Sequence, residues 1–138
     1  MNRNILSLLF CFTFFALFAQ QDPVQIVFDV TTDNTDTHKA TVRHVKGMSN
    51  AYPDSQFEVV MYSNSLAMAL ESTSTVKDDI FQLAQNKNVS FVVCEGTLKR
   101  HKIEKSKLIK GIKTVPDGIL QIIKRQQSGW GYIKEAHQ

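Results

Sequence analysis

Val89-Ser90-Phe91-Val92-Val93-Cys94, followed at once by Glu95-Gly96-Thr97-Leu98-Lys99-Arg100-His101-Lys102, is the stretch whose reading decides the fold. A short run rich in β-branched and aromatic side chains predicts a strand, and the glycine beyond it a tight turn. A basic helix is expected to follow over residues 97–103. A strand that stops at a thiol and turns into a helix places sulfur outside the carboxyl ends of the strands, where α/β proteins bind ligands. The helix N-terminus and the cations beyond it would both favour a thiolate. The competing reading is a buried cysteine acting as a small hydrophobe.

The same alternation extends outward in both directions. Val24-Gln25-Ile26-Val27-Phe28-Asp29-Val30 reads as a nearly continuous apolar strand, as expected where both sheet faces are covered. The polar turn at 31–36 offers N-caps, and a helix is predicted over 37–52, with Ala40, Val42, Val45, Met48 and Tyr52 near helical spacing. Pro53 ends it, and Phe57-Glu58-Val59-Val60-Met61-Tyr62 is a second strand. A short apolar segment (66–70) and a helix over 76–85 lead to the Cys94 strand, the inner face of that helix being Val76, Ile80, Leu83 and Ala84. Beyond a basic connection lie an extended piece at 112–115 and a helix. Pro116 is placed to open that helix, Asp117 to reinforce its first turn, and Ile119, Leu120, Ile122 and Ile123 to form its apolar side. Gly129-Trp130-Gly131-Tyr132-Ile133-Lys134 closes the chain as a short edge strand. Strands alternating with helices imply a mostly parallel sheet covered on both faces, in one domain without repeat or linker.

The first residues have a different character. Met1-Asn2-Arg3-Asn4 is a short positive start, residues 5–18 are almost wholly apolar, and Ala19 precedes Gln20-Gln21-Asp22. That is the layout of a secretory signal peptide, and the apolar stretch is short for a spanning helix. We read residues 1–20 as a leader and 21–138 as the domain, periplasmic or secreted, with no stable membrane insertion once the leader is removed. Cys11 leaves with the leader, so Cys94 becomes the only cysteine and no internal disulfide can form. An unpaired thiol in an exported chain calls for a chemical explanation.

Of the 16 basic residues only Arg3 lies in the leader, which leaves 15 against 13 acidic ones. That balance is too mild to imply nucleic acid. The charge is uneven, however: Lys99, Arg100, Lys102, Lys105, Lys107, Lys110 and Lys113 meet only Glu104 in their stretch. Such a cluster is either a solvated face or a positive field near Cys94 that attracts anions or an acidic partner. There is no GxGxxG or Walker loop and no CxxC pair. His38, His44, His101 and His137 lack metal spacing, so neither metal nor organic cofactor is expected. His38 and His44 read as surface residues of the first helix. His101, about one helical turn after Thr97, is the histidine placed to approach the thiol and activate it.

Together, residues 24–30 with the threonine–aspartate turn, Phe57-Glu58-Val59-Val60-Met61-Tyr62, Val92-Val93-Cys94 with Leu98, and Val115-Pro116-Asp117-Gly118 resemble a DsrE/DsrF-like protein. The leader and the terminal Gly129-Trp130-Gly131-Tyr132-Ile133-Lys134 resemble the exported branch of that family. The resemblance covers nearly the whole domain. It implies a single three-layer α/β domain, flavodoxin-related, with a mostly parallel central sheet of about five strands, often assembled into dimers, trimers or hexamers. In the family's cytoplasmic sulfur-relay members, a cysteine after the central strand carries a persulfide between a donor and an acceptor protein, and Cys94 matches that position.

The expectation is therefore a sulfur carrier in which Cys94 is the nucleophile and Gly96 and Thr97 form the anion site. Lys99, Arg100 and His101 would give electrostatic support. The alternative is a non-catalytic oligomeric module that binds a small anion or a protein and keeps Cys94 as a structural residue. Trp130, Tyr132 and Ile133 in an edge strand favour a homo-oligomer, a trimer or hexamer rather than a dimer.

Overall fold

The structure, a computed structural model, describes residues 22–136. The leader with Cys11, and His137 at the other end, lie outside the described residues. The elements in chain order are β1 (Gln25–Val30), α1 (Thr35–Ala51), β2 (Gln56–Met61), a 3-10 turn (Ser63–Ser65) and α2 (Leu66–Ala69). They continue with α3 (Lys77–Leu83), β3 (Val89–Cys94), α4 (Glu95–Arg100) and a second 3-10 turn (Lys105–Lys107). Last come β4 (Lys113–Val115), α5 (Gly118–Gln127) and β5 (Gly131–Glu135). All five strands are parallel, in the order β4-β3-β2-β1-β5. The expected α/β class and its parallel five-stranded sheet are what is found.

Strand order dictates the layering. The chain steps from β1 to β4 in one direction across the sheet, then returns past three strands to place β5 beside β1. Crossovers between parallel strands keep one hand, so reversing direction puts α5 on the face opposite α1. One face is thus sealed by α1, α2, α3 and Leu98 of α4 over Phe28, Val30, Phe57, Val59, Met61, Phe91 and Val93. The register sets Val59 between Phe28 and Phe91 at the centre of that layer. The other face has α5 alone, and its apolar core is only Val27, Val60, Val92 and Ile122, with Tyr62, Val115 and Trp130 packed against it.

Local chemistry explains the boundaries. Asn34 caps α1 by accepting the Asp36 and Thr37 amides through its side chain. Helix α4 starts at Glu95, two residues earlier than expected, because Cys94 is itself the N-cap and no turn intervenes. Asp117, expected inside the first turn of α5, is instead its N-cap and accepts the Leu120 amide. Gly129, at φ +86°, follows the C-cap of α5 in the left-handed conformation that glycine adopts without penalty.

Three expectations are corrected. His38 is buried, not a surface residue, and its Nε2 lies 2.8 Å from the Thr32 carbonyl oxygen. The predicted apolar side of α5 does not pack as a whole: Ile122 is buried, whereas Ile119, Leu120 and Ile123 are 57%, 48% and 45% exposed. Trp130 turns back onto its own domain beneath Arg125, whose guanidinium carbon is 4.4 Å from the ring centroid, leaving Tyr132 and Ile133 exposed. Among the described residues, no helix is long and apolar enough to cross a membrane.

Candidate functional site

Cys94 ends β3 on the α5 side of the sheet and is half-buried. Burial by itself raises the thiol pKa. It is outweighed by hydrogen bonds from the Gly118 amide, the Thr97 amide and hydroxyl, and the Gly96 amide, and the thiol ends below its ordinary value. Two helices supply these donors, α4 from below and α5 from the opposite layer. Free N–H groups at helix N-termini suit an anion.

Thr97 is the most constrained of these groups. Its hydroxyl oxygen accepts from the Ser63 amide at 3.2 Å and from Arg100 Nη2 at 3.3 Å, and the side chain is buried. A threonine hydroxyl has two acceptor positions and one proton. With both acceptor positions filled, that proton is left for the sulfur. Ser63 holds φ +59°, an uncommon conformation for a residue other than glycine, and this geometry aims its amide at Thr97.

Gly118 reaches the thiol because it lacks a side chain. A Cβ there would lie 3.2 Å from the Cβ and ring of Tyr62, tighter than ordinary contact. The first turn of α5 therefore rests directly on Tyr62. Gly96 differs, since a Cβ there would sit 3.5 Å from the Cys94 sulfur, an ordinary contact distance.

The predicted site residues divide. Gly96 and Thr97 stand at the sulfur, and Arg100 acts on it through Thr97. Lys99 acts on Glu95, whose carboxyl is held below its usual range chiefly by a hydrogen bond from Lys105, then by Thr114. His101 is the C-cap of α4 and lines a separate groove with Asp33, Asn64 and Leu66, away from the donors around Cys94. Backbone amides and one hydroxyl, rather than cations, surround the thiol. Among the described residues, no three His, Cys, Asp or Glu side chains gather to hold a metal ion.

Sequence reasoning missed Gly118, Tyr62, Ser63 and Asp29 as parts of this region. Gly118 was visible only as one member of the Val115-Pro116-Asp117-Gly118 string. Tyr62 sits between Cys94 and a polar cluster at the carboxyl ends of β1 and β5, where the strand order reverses. There buried Asp29 accepts from the Tyr132 hydroxyl at 2.7 Å and Lys134 Nζ at 3.1 Å, and Lys134 also donates to Thr31 at 2.6 Å. The hydrogen bond to Asp29, then burial, pushes the Tyr132 phenol up to about 12. Burial, followed by the charge of Asp29, raises Tyr62 as well. Both phenols stay protonated at neutral pH.

This fold recurs in solved structures. A protein of unknown function from Methanobacterium thermoautotrophicum superposes with a TM-score of 0.75 at 25% identity, covering 80% of this chain and 98% of that one. The ychN protein from E. coli gives 0.67 at 12% identity over 81% and 97% of the two chains. A conserved protein of unknown function from Bacteroides thetaiotaomicron gives 0.65 at 18% identity, over 80% and 93%. The fold is DsrE-like. The sequence matches no protein-family model and no curated protein.

Proposed function

We propose that this chain is an exported member of the DsrE/DsrF-like group that carries sulfane sulfur on Cys94. One observation carries the reading: donors from three residues of two helices, Gly118, Thr97 and Gly96, converge on a half-buried thiol and outweigh its burial, which brings its pKa below the ordinary value. Such donors favour the thiolate, which is the nucleophilic form of cysteine, and a purely structural cysteine gains nothing from them.

The step is a sulfur transfer without net redox change. The Cys94 thiolate attacks the terminal sulfur of a donor persulfide, R–S–SH. A new S–S bond forms at Cys94, the donor S–S bond breaks, and the electron pair leaves on R–S⁻. Cys94–S–SH then passes its outer sulfur to an acceptor thiolate in the same way. The amides that stabilise the resting thiolate also stabilise Cys94 when it becomes the leaving group.

The chain acts, in this reading, as a periplasmic or secreted homo-oligomer of three or six copies. The exposed aliphatic side chains of α5 and Tyr132 of the C-terminal segment supply apolar area for the interface beside Cys94. The test is intact-mass measurement after incubation with glutathione persulfide. A gain of one sulfur atom, reversed by dithiothreitol and absent in Cys94→Ser, supports the carrier. A thiol that stays unmodified while remaining open to iodoacetamide sinks it and leaves the binding-module alternative.

A further inference from the structure

On the face away from Cys94, α1 meets the edge strand β5 through His44 and Glu135. A groove of about 550 Å³ runs between α1 and β5, within the size range of small-ligand sites. Its floor is Phe28, Met48 and Ile133, and Ile133 is 39% exposed although it points to the core side of the sheet. Two features of its rim set it apart from an ordinary surface dip.

The first is Gly47, in the interior of the 17-residue helix α1. Glycine there weakens the helix relative to alanine. Nothing in the chain requires it: its φ is not positive, and a Cβ would meet no atom within 4 Å. The glycine keeps the helix backbone open toward the groove. The second is the charge balance. His44 is matched to buried Glu135 at 2.9 Å, and Lys134 is committed to Asp29. Arg43, also on the rim, has no ion pair or hydrogen bond among the described residues. The groove thus combines an apolar floor with one unbalanced guanidinium, the group that pairs with a carboxylate through two parallel hydrogen bonds.

We propose that the groove between α1 and β5 binds a small amphiphilic carboxylate, its chain along Phe28, Met48 and Ile133 past Gly47 and its head at Arg43. The site is on the opposite face from the sulfur chemistry and does not depend on it. Isothermal titration with octanoate, with octanol as the neutral control, tests the proposal. The expected result is saturable one-to-one binding of octanoate, at least tenfold weaker for octanol and for Arg43→Gln. Gly47→Ala is the sharper variant. It should raise the Tm by roughly 3–6 °C by removing the helix penalty, and yet weaken octanoate binding at least tenfold by filling the opening. No saturable binding, equal binding of octanol, or Gly47→Ala and Arg43→Gln proteins that bind as the parent does would each overturn it. So would amide-exchange protection over residues 43–48 and 131–135 that vanishes on dilution, because a second copy would then be the occupant.

Discussion

The two faces of the sheet solve different problems with the same strands. Under α1, α2 and α3, side chains from Phe28, Val59 and Phe91 outward form one continuous apolar layer. Under α5, the same strands present Asp29, Glu58, Tyr62 and Cys94, and only four apolar residues form the buried core. Glu58, at the middle of the central strand, is tied to Arg125 by two bonds of 2.8 and 2.7 Å, to Gln121 at 2.8 Å and to Ser90 at 3.2 Å. A helix docked by such a network is placed by directional bonds rather than by apolar contact alone, which suits an element whose first amide must meet a sulfur atom. One face makes the domain stable, and the other spends part of that stability on geometry.

The largest break in this contrast should come from the apolar face. Phe91→Ala removes a fully buried ring and should cost roughly 3–5 kcal/mol, read from urea unfolding. It should leave the Cys94 alkylation profile unchanged in the molecules that remain folded.

Arg125→Ala should come next. It strands a buried carboxylate and should cost roughly 3 kcal/mol, the low end for a broken buried pair because the guanidinium is partly solvated. The pH dependence distinguishes the two faces. Burial raises the Glu58 carboxyl, but its bonds to Arg125, Gln121 and Ser90 outweigh this, and its folded pKa lies below 4.5. The unfolded chain therefore binds the extra proton, and Glu58 contributes stability that is complete above that value and lost as pH falls through the folded pKa. Glu58→Gln should flatten this acid limb, and an unchanged limb would refute the assignment.

Thr97→Val acts on the thiol itself. The Ser63 amide loses its buried acceptor, at about 1–2 kcal/mol, and the sulfur loses one donor. The pH midpoint of iodoacetamide alkylation should start below the ordinary thiol value of about 8.5 and move upward in the variant. A midpoint that does not move would mean that the hydroxyl proton points elsewhere.

The smallest effect on the fold should be Ile123→Ser on the exposed side of α5, within about 0.5 kcal/mol for the monomer. Light scattering gives this variant its value. A parent assembly that falls to single copies would place the interface on the Cys94 face, whereas an unchanged assembly would place it elsewhere.

The alternation of strands and helices, the end of β3 at Cys94, an N-cap for α1 within residues 31–36 and the final edge strand were all legible in the sequence. Each rests on local chemistry: apolar periodicity, a side chain that bonds an amide two or three residues on, or a ring that removes a donor. What the tertiary structure decided involves partners far apart in the chain. Glu58 meets Arg125 across 67 positions, and Gly118 reaches Cys94 only because the return of the chain to β5 lays α5 on the opposite face. His38 looked like a surface histidine until the Thr32 carbonyl closed over it, and Ile119, Leu120 and Ile123 looked like core until one helix proved too narrow to bury them. Periodicity says which side chains share a helix face. Only strand order and layer assignment say what that face meets.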